Sequence, residues 1–440
     1  MADSHPETEV FHQLGGRHPE AFGISFSGGG FRATLFHLGV VRLLYEAKLL
    51  RRVQFISGVS GGAILAAHVG LNWARYTGGE TDFQQVAEEI VRFSQRDLRN
   101  RILRRWVLGW LTLVPRLLFQ WSRVELLRRE YRSLYGDKRL RDFPNVYEGQ
   151  GPRTVLQTSS MTTGMPCTFG RSGLMLYKEQ ADGRGINLSP DQELTFATGL
   201  SVAHGVAASS AFPPMFPPLK VDNRLLECSR EEFPLTDYLT DGGVFDNVGM
   251  DRPLRWFTAR EFHPHPADQI TSFLISDAEG PFTPLAGRPW RYKFAFPRNL
   301  RATEVLMRRA STLNWKFLTE LRLNLIRIPE APRYGQAVDL QAAQNFRTDL
   351  DRFNNVEVDE LVRAGFQSAK VALGNNHWIA TNTPDTDWRP LSVPRLAPER
   401  RQKLLARARF RSWWPLLLAP SDPAWWALVT LAGLLIYWFA

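Results

Sequence analysis

The stretch FISGVSGGAILAAH, Phe55–His68, decides how this chain is read. VQFIS (Val53–Ser57) is a short apolar run of the kind that forms a buried strand, and AILAAHVGLNWARY (Ala63–Tyr76) is spaced as a helix. Between them lies GVSGG, Gly58–Gly62, with Ser60 at its centre. A serine hydroxyl attacks a carbonyl only if a base takes its proton and the side chain projects from the backbone. A sharp strand-to-helix turn provides the projection but crowds its neighbours, and Gly58, Gly61 and Gly62 relieve the crowding. The helix that opens near Gly61 aims its first amides at negative charge developing on an oxyanion. Taken alone, the pentapeptide also suits a phosphate-binding turn.

Two further stretches choose between these readings. AFGISF (Ala21–Phe26) is a second buried strand, RATLFHLGVVRLLYEA (Arg32–Ala47) is a helix, and SGGGFR (Ser27–Arg32) joins them. Gly28, Gly29 and Gly30 free their amides to face inward as a nest for an anion, and Arg32 either holds this loop open or meets an anionic group. The loop lacks G-x-x-x-x-G-K-[ST] and does not fit G-x-G-x-x-G, so two glycine-rich turns on successive strand–helix units suit one acyl site better than a nucleotide. LTDGGVFDN (Leu239–Asn247) puts Asp241 at the end of a candidate strand, DYLTD (Asp237–Asp241). That is the carboxyl edge where open α/β sheets build their sites, although D-G-G is also an ordinary turn. RTVLQTSS (Arg153–Ser160) and ITSFLIS (Ile270–Ser276) are further strands, and helices are expected from Arg301 to about Leu325 and over Val358–Leu373. Strand–helix alternation of this kind implies an α/β fold with a parallel sheet covered by helices.

In this order the three elements resemble the patatin-like phospholipases. The G-G-G-x-R/K element corresponds to Gly28, Gly29, Gly30 and Arg32, the G-x-S-x-G element to Gly58, Ser60 and Gly62, and the D-G-G/A element to Asp241, Gly242 and Gly243. ASSAFPPMFPP (Ala208–Pro218) is similar to the family's proline-rich block beside the site. The likeness runs from about Ala21 to Met250, with looser support to about Leu373, and no counterpart is seen for 95–150 or for the chain beyond Thr381. It implies a three-layer α/β/α fold with a mainly parallel central sheet. It also implies a Ser–Asp dyad: Ser60 attacks the ester carbonyl, Asp241 is the base that returns the proton to the leaving alcohol, and the amides of Gly28 to Gly30 hold the oxyanion. No cofactor is implied.

A Ser–Asp–His triad is the alternative, drawing on Asp277 with His263, His265 or His377, yet none of these histidines lies in a glycine-rich or strand-end context. His68 falls two turns into the helix after Ser60, and it and His37 are expected to be structural; His204 precedes the proline-rich block as a candidate pocket residue. There is no H-E-x-x-H or C-x-x-C, so no metal site is expected. Cys167 and Cys228 are too few for a disulfide framework and suit a reducing compartment.

Of 440 residues 44% are hydrophobic and 22% charged, which excludes disordered and fibrous classes. The net charge of +10 is concentrated: Arg92–Arg132 carries +8 and Arg395–Arg411 carries +6, leaving −4 for the rest. Both blocks adjoin Trp- and Leu-rich sequence, the composition of a membrane-surface element rather than a nucleic-acid binder. RRWVLGWLTLVPRLLFQW (Arg104–Trp121) is broken by Pro115 and Arg116 before it reaches the roughly 20 residues of a membrane span. The segment 95–150 is therefore expected to overlie the site or lie in a lipid interface. The chain ends in 17 uncharged residues, Ala424–Ala440, with Trp425, Trp426 and Trp438 near the ends. This hydrophobic helix is expected to anchor the protein at a membrane, an arrangement that keeps the basic block and the enzyme body cytoplasmic. The polar N-terminus lacks a secretory signal. The organisation expected is a flexible arm over 1–19, a catalytic domain over 20–381, a Pro-rich then basic linker over 382–411 and a membrane-associated tail over 412–440. The function expected is a serine lipid acyl hydrolase acting on a phospholipid or another acyl lipid at an anionic membrane surface. Acyl transfer or neutral-lipid hydrolysis through the same serine, and a non-catalytic lipid-binding scaffold, are the alternatives.

Overall fold

The structure, a computed structural model, describes residues 20–111, 122–177, 193–196, 199–231, 233, 236–250, 253, 270, 272–280, 282, 292–320, 324–329, 346–380, 388–391, 397–410 and 414–439. Its strands form one sheet. Five run parallel in the spatial order β10 (Asn324–Pro329), β9 (Ser272–Asp277), β1 (Phe22–Phe26), β2 (Val53–Val59) and β3 (Arg153–Ser160). β4 (Pro166–Gly170), β5 (Gly173–Tyr177) and β6 (Glu193–Phe196) extend it antiparallel beyond β3, and β7 (Leu219–Val221) pairs with β8 (Asp237–Asp241).

The central strands carry Phe, Ile, Leu or Val on both faces because both faces of the sheet are buried. Ile56, Leu156, Leu274 and Ile326 point into the main core, whereas their neighbours Phe55, Val155, Phe273 and Leu325 point into a second, smaller one. On the main side lie α1 (Gly30–Glu46), α2 (Gly61–Leu71) and α10 (Asn355–Asn375), with α4 (Glu80–Ser94) behind them. On the other side the residues after β8 and the end of α9 (Ala295–Glu320) close the second core through Val248, Met250 and Leu318. The expected three-layer α/β/α architecture is the one observed.

α2 is apolar all round, as a helix buried on every side must be, and Gly61–Gly70 are all buried. The single helix expected over Ala63–Tyr76 is two. α2 ends at Leu71, where Asn72 donates its side-chain amide back to His68 O at 3.0 Å, and a short α3 (Trp73–Tyr76) follows.

Both ends of the segment 95–150 are held in the body of the protein rather than laid over it. α5 (Leu98–Leu111) and α6 (Arg123–Tyr135) bury Leu98, Ile102, Val124, Leu127, Tyr131 and Tyr135 in the main core. The basic charge read there as a surface feature is partly internal: Arg99 is buried and pairs with Asp349. Residues 112–121 lie outside the described residues.

The tail forms α12 (Trp414–Leu417) and α13 (Pro423–Phe439) after a basic α11 (Pro398–Arg407). Its beginning is docked: Asp422 and Arg104 of α5 form a buried ion pair, 2.7 Å, and Trp425 Nε1 donates to Leu417 O at 2.6 Å. Farther along, Leu434, Ile436, Tyr437 and Trp438 are exposed. Among the described residues no helix is long and apolar enough to cross a membrane.

Candidate active site

The carboxyl ends of β1, β2 and β8 build the site. Ser60 follows β2 with φ 51° and ψ −117°, a backbone region that costs a non-glycine residue about 1–3 kcal/mol. The chain reverses there into α2. Space as well as dihedral freedom explains the glycines. A Cβ on Gly61 would lie 2.0 Å from Gly30 O, so the Gly28–Gly30 loop can rest on the elbow only because Gly61 has no side chain. Gly62 packs in the same way against Phe26 O, and Gly58 against Ala66. Thr34 of α1 bonds Gly61 O at 2.7 Å and locks the two turns together.

The Ser60 N–H donates to Ser209 Oγ at 2.9 Å, and Ser209 in turn donates to Gln157 O at 2.5 Å. Ser209 ends α7 (Val202–Ser209), so the proline-rich block holds the backbone of Ser60. Its serines escaped the sequence reading because nothing local marks Ser209 as a partner of a residue 149 positions away.

The three glycine amides are not equivalent. Gly28 N–H donates to Asn247 O at 3.0 Å, whereas those of Gly29 and Gly30 have no partner among the described residues. Gly28 still lies against Ser60, since a Cβ there would sit 3.4 Å from Ser60 Cβ. Asn247, four residues beyond the D-G-G element, is a second positioning residue the sequence did not single out. Arg32 serves the loop: its buried guanidinium donates from Nη2 to Ala278 O at 2.7 Å.

Asp241 arrives through β3. β2 pairs with β3 as far as Val59 opposite Gln157. Beyond that point β8 takes over the same edge in the antiparallel sense, placing Asp241 opposite Thr158. The carboxylate is therefore delivered where β2 turns into Ser60. Its Oδ1 accepts from Gly243 N–H at 2.8 Å, and its buried Oδ2 has no hydrogen-bond partner among the described residues. Burial pushes its pKa up from 3.8 to about 7, against the opposing pull of the Ser60 hydroxyl and the Gly243 amide. A Cβ on Gly242 would meet Gln157 O at 2.4 Å, so this glycine lets β8 close on β3, and one on Gly243 would meet the Asn247 side chain, Oδ1 at 2.7 Å.

The histidines lie elsewhere. His37 donates from Nε2 to Ser27 O at 2.9 Å and accepts from Ser276 Oγ at Nδ1, 2.7 Å; burial lowers its pKa to about 3 and keeps it neutral. It braces the Gly28–Gly30 loop from behind through Ser27. His68 faces Tyr76 and Glu89, and His204 bonds Ser201. Asp277 pairs with Arg327 at 2.6 Å rather than with a histidine. His377 follows the end of α10, and His263 and His265 lie outside the described residues. Among the described residues no group of His, Cys, Asp and Glu could hold a metal ion.

The sequence matches the patatin-like phospholipases over residues 24–254, a span that contains the serine elbow, the glycine loop and the aspartate strand. Among solved structures the chain is similar to human GIVD cytosolic phospholipase A2, at 14% identity and a TM-score of 0.46, covering 81% of this chain and 59% of that one. It is also similar to VipD from Legionella pneumophila, at 13% identity and a TM-score of 0.33, covering 81% and 67%. The chain thus spans 59% of the length of the human phospholipase. No curated protein matches it. With more than half of its length matched, and with the serine elbow, glycine loop and aspartate strand joined at one sheet edge, this chain belongs to the patatin-like phospholipase family.

Proposed function

We propose that this protein is a lipid acyl hydrolase working through a Ser60–Asp241 dyad. The observation that carries the reading is the convergence of a strained, projecting Ser60 with a buried carboxylate whose Oδ2 lacks any other partner. Asp241 removes the hydroxyl proton as Ser60 attacks the ester carbonyl. A carboxylate at its ordinary pKa is a weak base, and one raised to about 7 is matched to proton transfer near neutrality. The oxyanion is held by the Gly29 and Gly30 amides, since that of Gly28 is engaged by Asn247. The proton then passes to the leaving alcohol. Water attacks the acyl-enzyme, with Asp241 again as base, and frees the fatty acid.

The substrate is a phospholipid or another acyl lipid presented at an anionic membrane surface on the cytoplasmic side. Support comes from the exposed Leu, Ile and Trp side chains of α13 and from the basic α11 that precedes it in the chain. The test is hydrolysis of phospholipid vesicles by the full chain and by Ser60→Ala. Fatty-acid release by the parent and none by the variant is expected; equal release by both would remove the dyad.

A further inference from the structure

α9 covers the site with one face and leaves the other bare. Its inward positions are Met307, Ser311, Asn314 and Leu318, spaced four, three and four residues apart as a single helix face. A Cβ on Gly243 would lie 2.9 Å from Met307 Cε, and Asn314 Nδ2 donates to Asp246 Oδ1 at 3.0 Å. The helix is therefore pinned to α8 (Gly243–Asp246), the turn that follows the catalytic aspartate.

The outward face runs through Ala302, Val305, Leu306, Arg309, Leu313 and Lys316. Leu306 is 69% exposed, Val305 49% and Leu313 48%, and Phe294 just before the helix is 60% exposed. Among these apolar side chains stand Arg298, Arg309 and Lys316, all exposed, while Arg308 pairs with Glu279 at 3.5 Å. Over its 26 residues the helix carries five basic residues against Glu304 and Glu320. Leucines left in water are unfavourable unless something covers them, and a cationic fringe around them selects an anionic cover.

We propose that the outward face of α9 docks on an anionic lipid bilayer and sets the mouth of the site against it. The inference rests on the lipid-hydrolase reading above and assigns that reaction's interfacial surface. Charge complementarity and position both favour lipid as the occupant. The helix is about 39 Å long, enough to rest along the headgroup layer, and its inward face meets Gly243, two residues from Asp241. This contact is separate from the tail, whose exposed residues lie on α12 and α13.

The experiment compares the full chain with Leu306→Asp/Leu313→Asp, two solvent-facing positions outside the catalytic machinery. Three readouts are taken: flotation with phosphatidylcholine vesicles with and without phosphatidylglycerol, fatty-acid release from those vesicles, and hydrolysis of a soluble short-chain ester. The expected result is flotation of the parent that depends on phosphatidylglycerol. In the variant, vesicle binding and vesicle hydrolysis fall at least ~tenfold, the order set by keeping two leucines out of an apolar phase, and soluble-ester hydrolysis is unchanged. Equal flotation of parent and variant, or a parent that does not float, overturns the proposal. A matching loss on the soluble ester also overturns it, because α9 would then be only a wall of the site. If the variant loses flotation but the parent releases no fatty acid, the docking surface stands and the lipid-hydrolase reading fails.

Discussion

Val59 and Asp241 occupy the same edge of β3, opposite its consecutive residues Gln157 and Thr158. One strand thus serves as the ruler that sets Ser60 and Asp241 side by side. β2 ends at Val59 and β8 ends at Asp241, on adjoining positions of that edge, and the residue after Val59 is Ser60.

Asp241→Asn is expected to lower kcat about 10²–10⁴-fold, the range for losing a positioned general base. Substrate KM should change little. Steady-state kinetics on a soluble ester would decide; an Asn variant within a few-fold of the parent would mean that another group takes the proton.

The pH dependence of the parent should follow the same carboxyl. Activity requires its ionised form, so kcat/KM should rise with pH through about 7 and be small at pH 5. Stability should run the other way. The unfolded carboxyl, at 3.8, has lost its proton by pH 5, while the folded one keeps it up to about 7. The folded state binds more protons in that window, so its stability falls as pH rises and levels off above about 7, by about 4 kcal/mol in all. Thermal melts of the parent and Asp241→Asn across this range should diverge, the variant being the more stable at pH 8.

Ser209→Ala leaves the buried amide of Ser60 without its acceptor, a loss of about 1–3 kcal/mol. The elbow should loosen, with kcat falling about ten- to hundredfold on that scale. Ser209→Thr, which keeps the hydroxyl, should recover part of the loss. Kinetics and melts of both variants would test this.

Gly61→Ala should be worse than its single methyl suggests. The new Cβ would meet Gly30 O at 2.0 Å, so either the oxyanion loop or the elbow must move. A destabilisation of about 1–3 kcal/mol and near-complete loss of activity are expected. Gly136→Ala makes a useful comparison because nothing lies within 4 Å of its Cβ, though its φ of +62° carries its own cost. Gly136→Ala should lower the melting temperature and leave kcat near that of the parent.

Arg104 and Asp422 tether the tail. Removing one partner leaves a buried charge uncompensated and should cost about 3–5 kcal/mol, while Arg104→Met/Asp422→Leu should recover most of it. Limited proteolysis between 407 and 425 would report the tether: fast cleavage in Asp422→Ala and slow cleavage in the double variant.

Much of this was legible in the chain. β3 and β8 have the bounds their apolar patterns suggested, and β1 and β2 differ only at their ends. Strands and glycine turns are readable because they depend on near neighbours: a buried strand shows as a short run of β-favouring residues, and a tight turn as residues without a Cβ. Segment 95–150 was harder. Its arginines look like a surface in sequence, since no local feature tells that Arg99 meets Asp349, which is 250 residues away, inside the protein.

Local composition by itself determined two glycine-rich strand–helix turns, a candidate nucleophile at Ser60 and a carboxylate at Asp241, because these are set by steric limits within a few residues. Tertiary structure alone decided which amides remain for an oxyanion, that Ser209 and Asn247 hold the loops, and that α9 turns leucines outward beside the site. Those outcomes depend on contacts between residues tens to hundreds of positions apart, and such contacts exist only once β3 has brought β2 and β8 to one edge.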